Sequence, residues 1–266
     1  MSAFHRARSR DRRAVSLVEM IVASAVVALI VGSMGMMAVG VRKTQDVSRD
    51  TGLRVQHARI VVERVETNVR GAFANLGFPG FMVFSTQVSG ATYPDVLVVW
   101  KPKSVPDDAD RMPIWNELIV YACDPSDPTR LYEITLPSDG GGAPGPVGAN
   151  LATWNAKIQA AREGKNSVRT LLTDQLRAAK ATDGTARGAV RFDAMLRPSA
   201  AEWDAFIAGT VAWESLPWAQ SLFSSRAGLR QNACDLELHL GPSSGSIDGA
   251  LPFVGSAALF FQVERP

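Results

Sequence analysis

From Met20 to Val41 the chain runs for 22 residues without a charged side chain, MIVASAVVALIVGSMGMMAVGV. As a helix this stretch is about 33 Å long, enough to cross the hydrocarbon core of a bilayer. Gly32 and Gly35, unfavourable in a soluble helix, are well tolerated in a membrane helix. Arg6, Arg8, Arg10, Arg12 and Arg13 precede the run. The positive-inside rule therefore places the N-terminus in the cytoplasm and everything after Val41 across the membrane. The rest of the chain has to build its core without this segment.

One acidic residue, Glu19, stands at the mouth of the run. A cleaved secretion signal has an apolar stretch of about 7–15 residues followed by a small-x-small site. Ala23-Ser24-Ala25 fits such a site, but the apolar run continues well past it. A plain uncleaved signal anchor is the other ordinary reading. Neither accounts for Glu19, because an acidic side chain in a membrane segment is costly and usually functional. Snorkelling to the interface is its bland explanation.

Charge is distributed unevenly. The formal net charge is +2, yet the first 14 residues hold five arginines and one aspartate, so the remainder is net negative. The basic balance therefore belongs to the leader. The body carries no broad Lys/Arg patch with interleaved aromatics, and no nucleic-acid partner is expected for this chain.

Beyond the membrane run the helical period continues. Val55, Ala58, Val62, Val65, Val69 and Ala72 recur at offsets of three and four, forming one apolar face. Glu66 and Arg70 stand at i,i+4 in the favourable order. No proline interrupts residues 15–75, which predicts one helix of about 90 Å whose second half docks on a head. Gly71, Gly77 and Pro79-Gly80 mark the exit.

The head, 76–266, reads as strands and loops. DVLVVW (95–100), NELIVYAC (116–123), LYEITL (131–136), DLELHL (235–240) and AALFFQVE (257–264) are the clearest strands. Residues 116–136 form a predicted hairpin through the turn formers of DPSDPTR. SDGGGAPGPVG (138–148) reads as a flexible linker or surface loop. Residues 150–180, with Leu171, Leu172, Leu176 and Ala179, and 200–215 carry helical patterns. The expectation is an α+β fold with a helical and loop insertion at about 138–230 between strands of one antiparallel sheet.

Chemistry-bearing residues are sparse. Cys123 ends one predicted strand and Cys234 precedes another, both outside the cytoplasm, where an oxidising compartment permits a bridge between them. Closing a loop of that length stabilises by roughly 4–5 kcal/mol in the chain-entropy model; two isolated buried thiols are the alternative. The three histidines, His5, His57 and His239, lack a nucleophile-elbow pattern, so catalysis is not expected. No Cys/His spacing suggests zinc, and no glycine-rich loop follows a strand as a phosphate cradle. The aspartates of PDDAD (106–110) and DPSDP (124–128) read as solvated turns rather than calcium ligands. No metal or cofactor is expected.

The stretch Arg13-Ala14-Val15-Ser16-Leu17-Val18-Glu19 resembles the processing site of type IV prepilins and type II secretion pseudopilins. That resemblance implies cleavage between Ala14 and Val15 on the cytoplasmic face and N-methylation of the new Val15 amine. Ala14 stands where glycine is commoner, and Val15 where phenylalanine or methionine is usual. Ser16, Leu17 and Glu19 are implied assembly residues, with the Glu19 carboxylate meeting the amine of a neighbouring subunit. RIVVERVETNVRGAFANLGFPGF and ELIVYACDPSDPTRLYEIT are similar to stretches of the J-type minor pseudopilins and their PilW-type pilus counterparts. Major pilins are usually shorter and carry a helix-breaking proline in the membrane half, which this chain lacks.

The resemblance implies a pilin-like fold in four parts: a basic leader, 1–14, that is removed; a membrane and assembly half-helix, 15–41; an amphipathic half, 42–75; and the head. It implies a structural role at the tip or in initiation of a pseudopilus or pilus. The implied partners are other minor pilins or pseudopilins, the prepilin peptidase, the inner-membrane assembly platform and membrane lipid. The implied location is the bacterial inner membrane, single pass, with the head in the periplasm, and then the filament. Two other readings stay open: a pilin-like adhesin using 138–230 as its recognition surface, and an uncleaved membrane-anchored enzyme.

Overall fold

The structure, a computed structural model, describes residues 16–265 except 89, 146–147, 181–183, 185, 219–226 and 242–249. The fold is α+β, with one long N-terminal helix and antiparallel sheets. Helix α1 spans Leu17–Arg70, and the chain separates into two compact units, one ending at Asp50 and the other beginning at Thr51.

In the first unit every described residue from Ser16 to Arg49 is exposed. The segment has the length and apolarity to cross a membrane. Three of its hydroxyls turn back onto the helix: Ser24 donates to the Met20 carbonyl at 2.7 Å, Ser33 to Ile30 at 2.8 Å and Thr44 to Gly40 at 3.0 Å. Such bonds hide polar groups where water is absent.

The second unit contains the rest of α1 and two main sheets. The strands are β1 (Phe81–Val88), β2 (Ala91–Trp100), β3 (Leu118–Cys123) and β4 (Leu131–Thr135). After α2 (Leu151–Arg162) come β5 (Val168–Thr173), β6 (Ala178–Lys180), β7 (Ala186–Gly188) and β8 (Val190–Arg197). Then follow α3 (Ala200–Ile207), β9 (Ala227–Leu240) and β10 (Leu251–Glu264). β1 to β5 form a meander in chain order, β10-β9-β8 a second antiparallel sheet, and β6-β7 a small hairpin.

One face of α1 joins the two sheets. Ala58, Val61, Val65 and Val69, with Ala72 just past the helix end, pack with Phe81, Leu97 and Val99 of the first sheet and with Leu236, Leu238, Leu259 and Phe261 of the second. The buried stripe follows the predicted three–four spacing but is rotated: Arg54, Val61 and Asn68 are buried, Val55 is exposed and Val62 half-buried. The helix ends at Arg70, ahead of the expected exit near Asn75. Asn75 instead builds the exit turn, its side chain accepting from the Phe78 N–H and donating to the Ala109 and Arg111 carbonyls.

The other face of the first sheet is covered by α2. Trp154, Ile158 and Ala161 pack on Phe84, Val96, Val98, Trp100 and Val120. A sheet covered on both faces has no polar side, which is why Asp95–Trp100 is buried without alternation. In the second sheet β9 alternates strictly, with Leu236, Leu238 and Leu240 inward. Gly255 of β10 admits α1 closely: a Cβ there would strike the Val62 side chain. The Glu66 carboxylate meets this strand as well, accepting from the Ser256 N–H at 3.1 Å and pairing with Arg70 at 2.6 Å as predicted.

Several expectations need correction. The region 138–230 is not a helical and loop insertion in one sheet. It supplies β5 to the first sheet and β8 with the start of β9 to the second. Leu171 and Leu172 lie on β5, whose pairing with β4 overrides their helix-like spacing. The first part of the glycine-rich segment is tied down: Trp115 N–H donates to Gly141 at 2.9 Å, Asn116 to Asp139 at 2.9 Å, and Ala143 to Pro113 at 2.8 Å.

Cys123 and Cys234 are two free buried thiols rather than a bridge. Cys123 ends β3 in one sheet, whereas Cys234 is held mid-strand in the other by pairing with Ala194 and Ala257. Thiol titration of the unfolded, non-reduced chain should therefore count two thiols. A count of zero would restore the bridge.

Candidate functional site

Ser16, Leu17 and Glu19 come together in the first turn of α1. Ser16 Oγ accepts from the Glu19 N–H at 3.2 Å, and Glu19 Oε2 accepts from the Ser16 N–H at 3.1 Å. This reciprocal pair is a capping box, in which serine and glutamate three residues apart satisfy two backbone donors left open at a helix start. A carboxylate here also complements the positive end of the helix dipole. Glu19 thus has a local role that the sequence reading missed, although Ser-x-x-Glu before an apolar run is its signature. Leu17, Met20, Ile21 and Ser24 line an open groove along the same side of the helix. Ala14 and Val15 lie outside the described residues.

The second half of α1 carries a buried polar cluster. Glu133 of β4 accepts from Arg64 Nε and Nη2, both at 2.8 Å, from the Tyr121 hydroxyl at 3.0 Å and from Asn68 Nδ2 at 3.3 Å. Asn68 also donates to the Tyr121 oxygen and accepts from Lys101 Nζ. The helix–sheet contact thus holds a carboxylate whose acceptor sites are filled from both sides. Bonds from the Arg64 guanidinium hold the Glu133 carboxyl below its ordinary 4.5, against the opposing effect of burial. Burial raises the Tyr121 hydroxyl, keeping it a proton donor to Glu133.

Several other titratable groups are engaged locally. Asp124 accepts from the Ser126 N–H at 2.7 Å and pairs with Arg169, and Asp127 accepts from the Thr129 hydroxyl at 2.6 Å. Both act as turn acceptors. His239 Nε2 meets Glu237 Oε1 at 2.8 Å two residues along β9. His57 Nδ1 is buried with no hydrogen-bond partner among the described residues. Burial pushes both cysteine thiols up to about 12, so they stay protonated at neutral pH. Arg230 is buried beneath Trp203, 5.0 Å from its ring centre, and burial lowers it to about 10, still charged at neutral pH.

No family model, curated protein or solved structure matches this chain.

The Glu133 cluster fixes an acid dependence. A carboxyl depressed in the folded state adds stability above its unfolded value of about 4.5, and that contribution disappears as pH falls through the lower folded value. Glu133→Gln should lose about 1–3 kcal/mol at neutral pH, the range for removing bonds to a charged acceptor when Arg64 is half-exposed. The gap from the unaltered chain should narrow below pH 4.5. Denaturant titrations across pH measure both; a pH-independent gap would contradict the assignment.

Proposed function

We propose that this chain is a minor pilin-like subunit, matured by prepilin-type cleavage and assembled through its N-terminal helix into a type II secretion pseudopilus or type IV pilus. The supporting observation is the division of α1. Residues 20–41 are uncharged and exposed throughout, whereas Ala58 to Ala72 supply the central stripe of the head. A helix of this kind joins a folded head to a segment suited to lipid or to the apolar helices of neighbouring subunits.

In this reading Arg6 to Arg13 keep the leader in the cytoplasm, and cleavage after Ala14 leaves a charged, methylated amine on Val15. The Glu19 carboxylate, one turn further in, is the partner for such an amine on an adjacent subunit. Two unpaired charges in hydrocarbon are each expensive, so their pairing selects the register between subunits. The peptidase, the assembly platform, inner-membrane lipid and other minor pilins are the partners this reading requires. The head stands on the far side of the membrane, and the role is structural rather than catalytic.

The capping box makes a sharper test available. Glutamine at the third helical position keeps the reciprocal bonds, whereas alanine removes them. If charge pairing drives assembly, Glu19→Gln and Glu19→Ala should both be incorporated into the filament complex at least about tenfold less than the unaltered chain. Co-purification with the other subunits reads this out. Recovery of normal incorporation by Glu19→Gln alone would show that the residue only caps the helix.

A further inference from the structure

Near the ends of β3 and α2, two pockets share a wall. One, of about 350 Å³, is bounded by Phe84, Val96, Leu151 and Ile158 and by the amide side chains of Asn155 and Gln159. The other, of about 160 Å³, is bounded by Asp95, Cys123, Asp124, Arg187 and Gly188. Thr86 and Arg162 line both. Gly188 is required for the small pocket's shape, since a Cβ there would collide with Cys123 Sγ and the Pro128 carbonyl.

The charges around this wall do not cancel. Arg187 pairs with Asp95 at 3.3 Å, donates to Thr86 Oγ1 at 3.0 Å and stacks over Tyr93. Arg169 pairs with Asp124. Arg162, only 8% exposed, donates its Nε to the Cys123 carbonyl at 3.0 Å, and no carboxylate pairs with it among the described residues. One nearly buried guanidinium is thus left with its Nη donors uncommitted at the junction of the two pockets. These donors line the two pockets rather than closed protein, and a guanidinium fork matches a carboxylate in two parallel bonds.

The larger pocket adds a second requirement. Its apolar side accommodates a side chain, while Asn155, Gln159 and Thr86 offer donors and acceptors suited to peptide units. Ser85 adds backbone groups, because the shift in pairing between Phe84 and Thr86 leaves it without a partner on β2. A dianion such as phosphate would bring more charge than the single free arginine neutralises, beside two aspartates. A fatty carboxylate would leave the amide groups unused.

We propose that the double pocket binds the free C-terminal carboxylate of a peptide chain, with the carboxylate on Arg162 and the terminal side chain between α2 and β1. This assignment is independent of filament assembly.

The test is calorimetric titration of the full chain in detergent with N-acetyl-dialanyl-leucine as the free acid and as its C-terminal amide. The acid should bind at least about tenfold more tightly than the amide, as expected for a charge-assisted pair of bonds. Arg162→Gln should weaken the acid by a similar factor and bring acid and amide level. Leu151→Trp, at a position 49% exposed, should fill the larger pocket and weaken binding while leaving Arg162 in place. Should Arg162→Gln fail to fold, the acid–amide comparison and Leu151→Trp decide the question. Absence of acid binding, equal binding of acid and amide, displacement by equimolar inorganic phosphate, or undiminished binding in Leu151→Trp would each overturn the proposal.

Discussion

Burying the Glu133 carboxylate beneath a helix is unfavourable unless its oxygens are satisfied, and here the satisfaction comes from two elements at once. Arg64 and Asn68 reach it from α1, and Tyr121 reaches it from the neighbouring strand β3. Because the acceptors are filled only when Asn68 faces the sheet, the cluster fixes the rotation of this part of the helix about its own axis. That rotation determines which side chains become core. Val61, Val65 and Val69 turn inward, and Val55 is left outside. Arg64 stays half in solvent, so the desolvation falls mainly on the carboxylate, where several bonds offset it.

Two carboxylates that α1 deals with are therefore satisfied in different ways. Glu133 is neutralised within the folded head. Among the described residues Glu19 bonds to its own helix turn through Ser16, and the run that follows it, Met20 to Val41, is uncharged and exposed. The contrast supports a reading in which the first half of α1 finishes its contacts outside this chain, in lipid and against other subunits, while the second half finishes them inside.

Much of this was legible in the residues. The apolar run shows as unbroken hydrophobicity, the stripe from Ala58 to Val69 as a three–four spacing, and β2, β3 and β4 as short apolar runs bounded by turn formers. The first half of β9 was not legible, because Gly228, Arg230 and Asn232 occupy its inward positions and read as loop. Each is explained only by tertiary partners: Trp218 lies against Gly228, Arg230 sits under Trp203, and Asn232 donates to the Pro79 carbonyl. β5 was hidden for the opposite reason, since Leu171 and Leu172 with Leu176 imitate a helix until β4 supplies a partner. The Glu133 cluster was equally invisible, because nothing in the spacing of residues 64, 68, 121 and 133 reveals that they converge. The Ser16–Glu19 capping box, by contrast, was readable and simply overlooked in favour of the longer motif around it.

In the proposed reading, Glu19 belongs to a matured helix whose first residue is Val15. Mass spectrometry of the N-terminal peptide, from chain isolated out of a host that carries a prepilin peptidase, tests it most directly. A peptide beginning at N-methylated Val15 is the expected result. An intact leader with Arg6 to Arg13 still attached, or a new end near Ala25, would contradict it.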